Sequence, residues 1–225
     1  MPVTINDLHP WDITPQEAIR LQTELAPLVN TREPLPVANV RYVAVVDVSV
    51  KDDVSRAAVV VLRFPALDVI ETVTADRPTT FPYVPGLLTF REGAVILDAL
   101  RQLQATPDVI MFDGQGIIHP RRIGIASHIG LFIDTPTIGC GKSRLLCRYE
   151  PVSEEKGSYS PLVDRGETIG VVLRTRTNVK PVFISAGHRI TLEDARTLAL
   201  ACTTRYRLPA PTRAAHIAAG LDRSG

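Results

Sequence analysis

The sequence predicts an α/β fold, a mixed sheet with helices on both faces, and three observations predict it. Arg41 to Val50, Arg56 to Phe64 and Leu67 to Ala75 are β-branched segments joined by short polar turns, which makes them antiparallel neighbours. After them, apolar stretches at helical spacing alternate with short strands. One of those strands, Val109-Ile110-Met111-Phe112, is apolar without interruption, the pattern of a strand covered on both faces.

The elements follow in order. Thr14-Pro15-Gln16-Glu17 reads as a capping box with proline at the first helical position, opening a helix over about 14–29. Ala18, Leu21, Leu25 and Leu28 fall on its inner face, and Pro34 and Pro36 stop it. Asp52-Asp53 and Pro65-Ala66 turn the three antiparallel strands, and Pro78 to Gly86 is too rich in proline for anything but a stiff loop. Phe90 to Gln104 is a helix with Ala94, Leu97, Leu100 and Leu103 as its buried stripe. The strand ending at Asp113 comes next, then a helix over Arg122 to Ile133, strands at Thr137 to Gly139, Thr168 to Arg174 and Pro181 to Ser185, and a helix over Thr191 to Thr203. Lys156 to Ser160 and the residues after about 217 read as mobile surface. Antiparallel strands followed by helix and strand alternation is the arrangement of a ribonuclease-H-like fold, here one domain over residues 1–225.

Composition narrows the function. A net charge of +1 excludes a uniformly basic nucleic-acid binder, so any phosphate site is local. The cations are mostly arginine, which suits phosphate and equally reflects genome composition; the lysines are Lys51, Lys142, Lys156 and Lys180. Cys140, Cys147 and Cys202 offer neither a disulfide framework nor a zinc spacing. With no signal-peptide core and no membrane-length apolar run, a soluble, cytoplasmic protein is expected.

The chemistry collects at carboxylates. Asp47 interrupts the apolar strand VAVVDVSV, where an unpaired charge is costly, so it calls for a cation, either an arginine partner or a metal ion. Asp113 ends the buried strand, at the sheet edge where ligands bind in α/β folds, with Gly114 and Gly116 allowing close backbone approach. Asp-Gly alone reads as an ordinary turn. If the two strands are neighbours, however, their carboxylates converge, and Glu92 at the start of the intervening helix supplies a third. Three carboxylates without His or Cys favour magnesium or manganese over zinc, and carboxylate-held magnesium serves phosphodiester hydrolysis. Lys142, in GCGK, reads either as a phosphate-facing cation or as a solvated lysine; its register is not that of a phosphate-binding loop for nucleotides.

Five stretches are more specific. FPYVPGLLTFRE at 81–92, DGQGIIHPRRIGIASHIG at 113–130, PTIGCGKSRL at 136–145, GHRI at 187–190 and YRLPAPTRAAH at 206–216 together resemble the endonuclease V (deoxyinosine 3′-endonuclease) family, over about Val37 to His216. The resemblance implies a magnesium-dependent repair enzyme, with manganese as possible substitute, that turns hypoxanthine out of DNA and hydrolyses the second phosphodiester bond on its 3′ side, leaving 3′-OH and 5′-phosphate. It makes Asp47 and Asp113 metal ligands, Glu92 the third acid, Lys142 a phosphate-side lysine and His216 a histidine beside the scissile phosphate. Pro82, Tyr83, Val84 and Pro85 match a wedge that enters the duplex, where two prolines stiffen the loop presenting Tyr83 and Val84. Gly86, Leu88, Gly114 and Gly116 are suitable walls for a flipped base, and His119 either lines the site or orders the Asp113 loop. His188 and Arg189 are expected to be structural and His128 to pack inside its helix. Inosine in RNA is an alternative substrate, and a non-catalytic nucleic-acid binder on the same fold is the reading from another class. A monomer with no membrane association is expected.

Overall fold

Local sequence chemistry sets each element of the computed structural model, which describes residues 3–204, 207–209, 214–215 and 217–220. Helix α1 (Pro15–Leu25) starts at the capping box: Thr14 N–H donates to Glu17 Oε2 at 2.8 Å and Glu17 N–H donates to Thr14 Oγ1 at 3.3 Å. Strands β1 (Tyr42–Lys51), β2 (Val54–Arg63) and β3 (Asp68–Pro78) form an antiparallel meander. Asp52 and Asp53 make the first turn with φ of 51° and 56°, the left-handed pair that a two-residue hairpin requires. Helix α2 (Leu88–Leu100), β4 (Val109–Phe112), α3 (Ile125–Ile133) and β5 (Thr137–Gly141) follow, then β6 (Tyr159–Asp164), β7 (Glu167–Leu173), β8 (Val182–Ala186) and α4 (Leu192–Ala201).

The eight strands form one open sheet in the order β3-β2-β1-β4-β5-β8-β7-β6, parallel across β1, β4 and β5 and antiparallel elsewhere. Alternation along β1 sorts the core into two layers. Val43 and Val45 pack with Met111, Ile138 and the inner face of α4, while Ala44 and Val46 pack with Phe112, α2 and α3. Helices therefore cover both faces, the ribonuclease-H-like arrangement that the sequence predicts.

Several details differ from the expectation. Leu28 is 60% exposed, because the chain tightens into a 3-10 turn at Ala26–Leu28 and the helical stripe ends. In α2, Leu97 and Leu100 are buried, as is Leu103 just beyond it, but Ala94 is half-exposed and the helix ends at Leu100. Arg122 sits outside α3 at φ 58°. Strand β6 occupies part of the stretch read as mobile surface, with Ser160 buried and Pro161 tolerated because an edge strand needs no donor on its open side. Within the tail, Ala219 is buried and its carbonyl accepts the Ser49 hydroxyl at 2.7 Å. No helix among the described residues is long and apolar enough to cross a membrane.

Candidate active site

The site forms where β4 stops beside β1. Val46 and Phe112 are register partners, and Asp113 N–H donates to Val46 C=O at 3.1 Å. The next residue on β1 and the first after β4 are both aspartates, so Asp47 and Asp113 meet at one seam in the sheet centre. Asp47 is 7% exposed, and its Oδ1 accepts Val48 N–H at 2.9 Å. Glu92, one turn into α2, is the third carboxylate: burial first, then the charge of Asp47, pushes its pKa up to about 8, with Arg91 opposing and Asp113 adding. Lys142, just past β5, forms an ion pair with Asp113 Oδ2, so it neutralises a carboxylate here rather than standing free on the surface. Arg207 holds it from behind by donating to Lys142 C=O at 2.8 Å.

A cavity of about 360 Å³ opens beside this seam. Of the residues expected at the site, Tyr83, Val84, Pro85, Gly86, Leu88, Asp113, Gly114, His119 and Lys142 line it; Pro82, Gly116, Asp47 and Glu92 do not. Tyr83 is 73% exposed, whereas Val84 turns inward against the cluster of Ala18, Phe81, Leu87 and Phe90 and anchors the loop. Within the Pro82–Pro85 stretch, one ring thus protrudes and one side chain anchors. Gly116 serves the loop from underneath: a Cβ there would lie 2.0 Å from Ala186 O, so only glycine lets this segment lie on the end of β8. His216 lies outside the described residues.

His119 orders the loop and faces the cavity at once. Arg121 N–H donates to its Nδ1 at 3.2 Å, which leaves the proton on Nε2 to donate to Gly86 C=O at 2.9 Å. Burial pushes its pKa down to about 4, so this neutral tautomer persists. His188 and Arg189 are structural: Asn30 N–H donates to His188 Nδ1 and Arg189 pairs with Glu33 and Asp134. His128 is fully buried beside His9, Phe90 and Phe132. Sequence reasoning missed the cavity residues Gln115, Ile125, Ser143, Arg144 and Leu145; only Arg144, two residues after Lys142, carried a charge signal.

Metal binding can be tested against these donors. Among the described residues no three His, Cys, Asp or Glu side chains form a ready-made metal cluster. Yet the donors at the seam are all oxygens, and a carboxyl that keeps its proton to about pH 8 beside two aspartates marks a place short of positive charge. Such a set fits a hard divalent cation on Asp47 and Asp113, with Glu92 near enough to feel both.

The chain is similar to known proteins over most of its length. The family model described as endonuclease V matches residues 23–217. An endonuclease V of Nostoc punctiforme is 57% identical over 209 residues, covering 92% of this chain and 94% of the relative. The crystal structure of the Streptomyces avermitilis endonuclease V is 42% identical with a TM-score of 0.90, covering 98% of this chain and 97% of that one. That of Ciona intestinalis, solved with a DNA containing an inosine followed by a ribo-adenosine, is 26% identical with a TM-score of 0.79, covering 92% and 96%. With a paired-aspartate seam at the sheet centre and these relatives over nearly its whole length, the chain belongs to the endonuclease V family.

Proposed function

We propose that the protein is a magnesium-dependent repair endonuclease that recognises deoxyinosine in DNA and hydrolyses the second phosphodiester bond 3′ to it. The observation that carries the reading is the pair Asp47 and Asp113, each the next residue after the register partners Val46 and Phe112, beside a cavity walled by a stiff loop bearing Tyr83. The Ciona relative's complex with inosine-containing DNA supports the substrate class.

Asp47 and Asp113 would hold the ion, with Glu92 closing the set. Bound magnesium, or manganese in its place, supplies charge neutralisation at the phosphate and a water of lowered pKa. Water oxygen bonds to phosphorus as the bond to the 3′ oxygen breaks, which leaves 3′-OH and 5′-phosphate. Lys142, ion-paired with Asp113, exchanges that partner for a phosphate oxygen when substrate binds. Glu92 passes the proton that the departing 3′ oxygen takes up. The cavity receives the extruded base between Gly86, Gly114 and His119, and Tyr83 takes up the stacking the duplex loses. Because the Ciona ligand carries a ribonucleotide after its inosine, cleavage of inosine in RNA is the second reading.

The test is a panel of duplex and single-stranded DNA and RNA with one inosine or one adenine, each with magnesium or EDTA. Magnesium-dependent nicking of inosine DNA at the second 3′ bond is expected. Cutting in EDTA, or equal cutting of adenine controls, would overturn the proposal, and exclusive cutting of RNA would favour the second reading.

A further inference from the structure

We propose that Gln22, on α1, is a positioning residue for the lesion cavity, fixing the Gly86 turn of the Tyr83 loop; as a statement about lesion binding this rests on the function proposed above. Only Ala18 and Gln22 are buried on α1. A buried carboxamide on an outer helix is expensive unless both its ends are satisfied. Here they are. Gln22 Nε2 donates to Gly86 C=O at 3.0 Å and to Ile123 C=O at 3.4 Å, and its Oε1 accepts Arg121 Nε–H at 2.7 Å. Arg121 Nη2 donates to the same Gly86 carbonyl at 3.1 Å, as does His119 Nε2 at 2.9 Å.

Three donors from two segments thus converge on one carbonyl of a loop that lines the cavity. Gly86 is left-handed at φ 82° and follows Pro85, so the orientation of its peptide sets the direction in which the prolines present Tyr83. The hydrogen bond from Gln22 ties that orientation to α1, and the one it accepts holds Arg121 in place. Gln22 lies one residue before the stretch matched by the family model, and it is not itself a lining residue of the cavity: it reaches the wall only through Gly86.

Two variants separate its parts. Gln22→Met keeps bulk and loses both polar ends; Gln22→Glu keeps an oxygen for Arg121 and loses the donor to Gly86. Steady-state cleavage of inosine duplex and an adenine control would be read beside amide hydrogen exchange of residues 80–88 in the substrate-free protein. In both variants KM for inosine duplex should rise roughly tenfold with kcat within about twofold, since one or two buried hydrogen bonds are lost and the chemistry is untouched. Exchange in 80–88 should quicken while β1 and β4 keep their protection. Unchanged KM and exchange would overturn the proposal, as would kcat falling in step with the folded fraction at constant KM. If wild type shows no inosine-dependent cutting, the proposed function fails, and loop exchange alone then decides whether Gln22 fixes the turn.

Discussion

Asp113 is bound into both the chemistry and the charge balance, and Asp113→Asn separates them. The variant should lose cleavage by roughly a thousandfold or more, because it removes one of the two carboxylates proposed to hold the metal. Folding should survive within about 1 kcal/mol, since the lost partner Lys142 is partly exposed and exposed ion pairs contribute little. Cleavage rates beside a thermal melt check both halves. A second expectation concerns acid. His119 and His128 have folded pKa values pushed down to about 4 and about 3, against 6.5 when unfolded. As pH falls from about 6.5 toward 4, the unfolded chain takes up protons that the folded chain refuses, so stability is full above that window and lost within it. Urea unfolding at steps from pH 7 to 4.5 should show the decline, and His128→Asn should flatten it even if it lowers stability at pH 7. Asp47 and Asp113 were legible in the sequence because carboxylates at the end of, or inside, apolar strands need a cation, and Glu92 followed from its place at the start of the helix between them. Gln22, Gln115 and Arg207 were not, because a polar residue on an amphipathic helix or in a loop looks solvated until the fold encloses it.

Elements show the same division. The long strands and helices followed from periodicity, whereas β6 escaped it. Tyr159, Pro161 and Val163 point out and only Ser160 and Leu162 point in, so a short edge strand with a central proline carries no apolar run to read. The stretch from Pro78 to Gly86 was legible as a stiff loop, although Pro78 itself ends β3, but its division of labour needed the structure: Val84 anchors and Tyr83 projects. Tyr83→Ala should therefore leave the melting temperature nearly unchanged. It should weaken binding of inosine duplex roughly five- to a hundredfold, the equivalent of about 1–3 kcal/mol of lost stacking. Single-stranded inosine DNA should suffer less, because no neighbouring pair has to be held apart. Equal losses on both substrates, or a large drop in melting temperature, would refute the wedge role in favour of a prop for the fold.

At the scale of the whole molecule, the proposed function gives binding chiefly to the loop-walled cavity and cutting to the adjoining carboxylate seam, which share Asp113 and Lys142 but need the ion differently, so calcium should uncouple them. Calcium takes oxygen ligands at longer distances than magnesium, and a mobility shift with inosine duplex in calcium should show complex without product, which appears once magnesium is added. Product in calcium at the magnesium rate would mean that the ion's fine geometry is irrelevant to the step. The sheet order has a further consequence, for the protein's own synthesis. β1 and β4 are sheet neighbours, yet β2, β3 and α2 lie between them in the chain. A nascent polypeptide that has left the ribosome only as far as α2 owns Asp47 and Glu92 but not Asp113, and it lacks the 113–119 segment that walls the base cavity. On the proposed function, the carboxylate set and the cavity wall are thus completed by the same late segment, so a chain that stops short of Asp113 should show no inosine-dependent cutting.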